Sequence, residues 1–161
     1  MSRPPYVRED EDAGERLDRH WSEILQELRL AQTGTQILFA FLLTIAYQNQ
    51  FQAADQFTHD VYAVTLITSA LAVALFLAPV ALHRMLYQQG LRHRLVPISH
   101  HLVGAGLVFL MAAITGGVLL ALDAVLSRPV AFTIVAAVLL CFLILWYALP
   151  AYVRATARRS D

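Results

Sequence analysis

The stretch Val61 to Leu82, VYAVTLITSALAVALFLAPVAL, decides the fold: it runs twenty-two residues without a charge. As a helix it is about 33 Å long, enough to cross a hydrocarbon core of roughly 30 Å with slight tilt. A strand reading fails, because strands in lipid need a closed barrel built from alternating segments of about ten residues. This run does not alternate.

Three further apolar runs flank it, at about Ala31 to Tyr47, Leu102 to Leu122 and Val130 to Val153. The first is polar in its leading half (Gln32, Thr33, Gly34, Thr35, Gln36) and strongly apolar only from Ile37 to Ala46. Composition agrees with a membrane protein. The chain is 58% hydrophobic and 15% charged, against roughly 45–50% and about 25% in soluble domains. Its twelve basic residues are all Arg, and none lies in the four runs. The links, Gln48 to Asp60, His83 to His101 and Asp123 to Pro129, are short, so consecutive helices are antiparallel neighbours. The expected fold is all-α, a transmembrane four-helix up-down bundle.

Ahead of the spans, residues 1–13 form a polar leader with Pro4-Pro5 and the run Glu9 to Asp12, read as disordered. Residues 14–30 follow as an amphipathic helix, with Leu17, Trp21, Ile24, Leu25 and Leu28 on one face. It lies either at the lipid headgroups or against the cytoplasmic loop. The four-span domain covers residues 31–153, and a basic tail covers 154–161. No cleavable leader is expected in the first thirty residues.

Arg counting sets the orientation. Five Arg precede the first span, three (Arg84, Arg92, Arg94) lie in the middle loop and three (Arg154, Arg158, Arg159) in the tail, against Arg128 alone on the other side. By the positive-inside rule the chain is a multi-pass protein of the plasma (inner) membrane with both termini cytoplasmic.

Chemistry-bearing residues are sparse. Small residues recur every four positions as Ala113, Gly117 and Ala121, with Ala112 and Gly116 in the adjacent row, and as Thr133, Ala137 and Cys141 in the last span. Such rows let backbones approach closely, within the bundle or at a homo-oligomer seam. Thr65, Thr68 and Ser69 share a face and serve as hydrogen-bonding glue or as a polar path. The richest polar set gathers at the cytoplasmic mouth: Glu27, Arg29, Gln32, Gln36, His83, Arg84, His100 and His101. It is either interface dressing or a solute- or pH-responsive site, since His titrates near neutral pH. Pro79 is expected to bend the second span nearby.

Several classes find no support. The histidines fit no standard zinc spacing and lie beyond the spans, where they could not hold haem. No metal and no cofactor is expected. There is no nucleophile elbow, and no carboxylate lies inside a span to couple ions. Zero net charge and the lack of a basic face give nucleic acid no purchase.

The strings LQELR (25–29), QILFAFLLT (36–44), DVY (60–62), APVALHR (78–84) and WYALP (146–150) resemble an uncharacterised bacterial family of four-span membrane proteins. The likeness runs from about Glu15 to Arg154. Members of that family often carry an automated label of sodium:proton antiporter, and the resemblance carries over no functional residue. Antiporters are similar to one another in having many spans and inverted repeats around midplane carboxylates, which this chain lacks. The expected function is that of a non-enzymatic structural or regulatory subunit that assembles with itself or with a partner membrane protein. The alternative is a small cation/proton transporter or ion-conducting oligomer.

Overall fold

The computed structural model describes residues 13–86 and 92–157. Most of the expected leader, the Tyr87 to Leu91 connection and the last four residues of the tail lie outside the described residues. Six helices follow in order: α1 Ala13–Ile45, α2 Asn49–Gln52, α3 Gln56–Leu86, α4 Arg92–Asp123, α5 Arg128–Leu143 and α6 Leu149–Ala157. A π-helical turn, Ile144–Ala148, joins α5 to α6. No strand occurs among the described residues. The architecture is an all-α bundle with four helices long and apolar enough to cross a membrane, their apolar windows at Leu28–Ile45, Gln56–Met85, Ile98–Asp123 and Arg128–Ala157.

The α3–α4 hairpin is the backbone of the bundle, and it is the most extensive helix pair. On α3 the buried residues are Thr65, Ser69, Ala72, Phe76 and Pro79. They recur at alternating steps of four and three, the seam spacing of left-handed helix packing. On α4 Ser99, Gly106, Leu110 and Ala113 are buried in the same rhythm. Two glycines bring the backbones together. A methyl group at Gly106 would sit 2.7 Å from Phe76 Cε1, and one at Gly116 would collide with Thr65 Oγ1.

Helix α1 adds Leu28, Thr35 and Leu42 at steps of seven and packs mainly on α3. The residues read as a separate amphipathic helix and a first span form one uninterrupted rod of 33 residues, about 50 Å long. Side chains of the expected stripe at Leu17, Trp21, Ile24 and Leu25 lie outside the described residues, whereas Leu28 is buried in the core. The fourth spanning helix starts on Ser127 with Pro129 in its first turn, where a missing N–H costs nothing. It buries Ala131 and Val135 and packs on α4.

The π turn has a local cause. Pro150 has no N–H to donate to the carbonyl four residues back, Trp146, so the α-helical ladder cannot run through unbroken. The Leu149 N–H bonds instead to the Ile144 carbonyl, five residues back. Trp146, inside this turn, packs against the core cluster of Leu28, Ala72, Phe76 and Leu110.

Much large apolar surface faces outward, including Ile37, Phe41, Val64, Ile67, Val108, Leu140 and Leu145. Apolar exposure on that scale is ruinous in water but neutral against lipid tails, which are as apolar as leucine.

Candidate functional site

The bundle has two ends of different character. One, the terminal end, holds the start of α1, the end of α3, the start of α4 and α6. The other, the loop end, holds the 46–55 and 124–127 connections.

At the terminal end the two glutamines of α1 part company. Gln32 is half-buried and its Nε2 donates to the Phe76 carbonyl at 3.0 Å. Gln36 is exposed. Pro79 has no N–H to give the Leu75 carbonyl four residues back; the Gln32 amide comes to the next carbonyl, that of Phe76, and ties α1 to α3 beside the proline. Arg29 and Arg84 are exposed, His83 is half-buried, and His100 and His101 are exposed. The rings of His100 and His101 meet edge to face with centroids 6.2 Å apart. The side chain of Glu27 lies outside the described residues. Ser99, which sequence reading did not single out, is fully buried, and its Oγ has no hydrogen-bond partner among the described residues. Among the described residues no three of His, Cys, Asp and Glu gather as a metal site would require.

The packing residues separate in the same way. Thr65 and Ser69 are buried in the α3–α4 seam, their hydroxyls donating to Val61 and Leu66 carbonyls. Ala113 is fully buried. Gly117 is half-buried, a Cβ there lying 3.4 Å from Leu38 Cδ1 of α1. Ala121, Ala137 and Cys141 are exposed.

Replacing Gln32 with leucine is expected to lower stability by about 1 kcal/mol, the net value of one such bond. Replacing Gln36 in the same way is expected to change nothing. Thermal melts of the two purified variants check this; equal melting points would remove the bridging role of Gln32.

The loop end is tied by a polar clasp. Asp55 caps α3 by accepting from the Thr58 N–H at 3.1 Å and from Thr58 Oγ1 at 2.8 Å. Arg128 bonds the other Asp55 oxygen and, through Nε at 3.2 Å, Asp123 Oδ1. Thr58 Oγ1 also lies 3.2 Å from Asp123 Oδ2. The guanidinium stands 4.6 Å from the Phe57 ring centroid, and Phe57 touches Phe132 of α5. His59 Nε2 meets the Phe51 carbonyl at 3.0 Å. Three spanning helices, α3, α4 and α5, thus meet at one small polar cluster, which no local pattern in the sequence announces.

The Arg128 hydrogen bond, with help from Thr58, holds the Asp55 carboxyl down at about 2 from its ordinary 3.8. A depressed carboxylate stabilises the fold above its unfolded pKa, and that contribution fades as pH falls through the folded one. Stability is therefore expected to carry an Asp55-dependent slope between about pH 4 and pH 2 that is absent above it. The clasp is solvent-exposed, so the slope is shallow. Asp55→Asn should remove it, and an identical acid profile in that variant would show the contact to be idle.

Beside the clasp lies a lateral cleft of about 800 Å³ between α1 and α4. Its walls include Leu38, Phe41, Ile114, Gly117 and Ala121, and Asp55, Thr58 and Asp123 line its loop-end mouth.

Four lipid-length apolar helices and an outward-facing apolar coat define a multi-pass membrane protein. The chain belongs to DUF6328, a family of unknown function, whose sequence pattern matches residues 10–150. No curated protein and no solved structure matches it.

Proposed function

We propose that the protein is a non-enzymatic structural or regulatory subunit of the plasma (inner) membrane, with both termini in the cytoplasm. Its terminal end engages a second copy or a partner membrane protein. The observation that carries this reading is the continuity of α1 through Leu28. Its apolar window begins there, yet the helix runs unbroken back to Ala13, about 22 Å of amphipathic helix ahead of the spanning window. A stiff, charged helix rigidly continuous with a span offers a partner a preorganised surface at little entropic cost. The exposed Arg29, Arg84, His100 and His101 stand at the same end. Arg asymmetry supports placing that end in the cytoplasm, and the transport alternative lacks a midplane ionisable group to carry a proton.

Cysteine cross-linking in native membranes tests the reading. With Cys141 replaced by serine, Arg84→Cys or His100→Cys is expected to give one discrete cross-linked species. Val108→Cys, on an exposed part of α4 far from that end, should give none. No discrete product from either terminal-end position would overturn the proposal. Sodium- or potassium-driven proton flux in proteoliposomes, abolished by Gln32→Leu, would replace it with the transporter.

A further inference from the structure

The cleft between α1 and α4 has features that packing alone does not require. It is about 800 Å³ in volume, within the roughly 300–1,000 Å³ range of sites that hold a small amphiphile. It lies between two spanning helices, so what reaches it comes from the bilayer. Its walls are aliphatic and aromatic for most of their length; Thr35, its hydroxyl bonded to the Ala31 carbonyl, is the polar side chain away from the loop-end mouth, where the charged groups lie.

The mouth carries both signs of charge. Asp55 and Asp123 line it, with Arg128 bonded to both. Arg128 is 46% exposed and uses Nε and Nη2 in these bonds, so Nη1 takes no part in them. Among the described residues Arg128 is the one Arg at this end. The mouth therefore favours a cation overall while retaining one place for an anion. A carboxylate pair beside a guanidinium complements an ammonium and a phosphate held a few ångströms apart.

We propose that this cleft is a binding site for a single phospholipid with a primary-ammonium headgroup, a phosphatidylethanolamine. The ammonium donates to Asp55 and Asp123, the phosphate accepts from Arg128, and an acyl chain lies along Leu38, Phe41, Ile114, Gly117 and Ala121. A choline headgroup carries the same charge but has no N–H to donate, and a glycerol headgroup offers no cation. The site therefore discriminates by hydrogen bonding at the mouth rather than by chain fit. This proposal uses the loop end, so it stands or falls separately from partner binding at the terminal end.

The test uses the full-length protein, delipidated in detergent and titrated with phosphatidylethanolamine, phosphatidylcholine or phosphatidylglycerol of identical chains. Bound lipid is counted by native mass spectrometry. One phosphatidylethanolamine is expected per chain, bound about tenfold tighter than the choline lipid, the difference made by a charge-assisted hydrogen bond. Ala121→Phe should abolish the binding by filling the cleft, whereas Val108→Phe, on an exposed part of α4 outside the cleft, should not. Asp55→Asn, which leaves the apolar walls intact, should bring the two affinities together. Equal affinity for all three lipids in the parent would overturn the proposal, as would a preference that survives Asp55→Asn. Dimers that Ala121→Phe converts to monomers, with no lipid preference, would give the cleft to a second copy instead.

Discussion

Phe76→Ala is expected to be the most damaging single truncation in the chain, lowering stability by about 2–3 kcal/mol. The Phe76 ring is fully buried in the cluster with Leu28, Ala72 and Leu110. It also fills the notch that Gly106 leaves in α4. In water, removing a buried phenyl group loses both the transfer free energy and the contacts around the cavity, about 3–5 kcal/mol. Here the transfer part shrinks, because an unfolded helix exposes that ring to lipid rather than to water. Lost dispersion contacts remain, and a glycine opposite has no side chain with which to fill the hole. Leu77, one residue on and largely exposed, is the control: its truncation should cost a small fraction of that. Denaturant or thermal unfolding of both variants in one detergent checks the ranking, and equal losses would mean that the ring makes no special contact.

The second large effect is expected at Gly116. A methyl group there collides with Thr65 Oγ1 and lies 3.1 Å from Thr65 Cβ, so either the threonine turns or the helices part. Turning Thr65 breaks its bond to the Val61 carbonyl, now 2.7 Å long. Parting the helices opens the largest seam in the bundle. Gly116→Ala should therefore cost about 1–3 kcal/mol, as overpacking does in tight cores. Gly117→Ala should cost much less, because the new methyl meets a movable leucine tip at 3.4 Å. A double-mutant cycle distinguishes strain from a general dislike of alanine. In Thr65→Ala/Gly116→Ala most of the loss should return, and strictly additive losses would exclude the clash.

These two sites show what the sequence could and could not tell. Val61 to Leu82 announces a spanning helix through length and absence of charge, properties that survive without knowing any neighbour. All four apolar helices were legible on that basis. Which face of each helix turns inward was not. In water the buried face is marked by hydrophobicity, but in lipid both faces are apolar, and the signal that sets helix phase in soluble proteins disappears. Gly116 and Gly117 are adjacent, equally small, and belong to equivalent rows. Only the three-dimensional pairing places Gly116 against Thr65 and Gly117 against α1. Gln32 and Gln36 present the same ambiguity, and Gln32 alone reaches α3.

The terminal-end polar set was visible as a concentration of His, Arg and Gln at span ends. The loop-end clasp was not, because Asp55, Asp123 and Arg128 are separated by up to 73 positions and none carries a motif. Pro79 was readable as a disturbance and Pro150 was not singled out, and the two are accommodated differently. The first lies within continuous α3 with a glutamine from α1 beside it, and the second follows a π turn.

That π turn also bears on how related chains should be compared. Five residues per bond instead of four means that one residue has been slipped into an otherwise α-helical cylinder. Everything beyond Ala148 is thereby rotated by about 100° relative to an unbroken helix. A relative without the insertion would align with a single-residue gap between Phe142 and Pro150. Its counterpart of Tyr152 would point a quarter-turn away. Deleting one residue from Ile144–Ala148 would shift the register of the segment after it by one position, turning the tail toward a different side of the bundle.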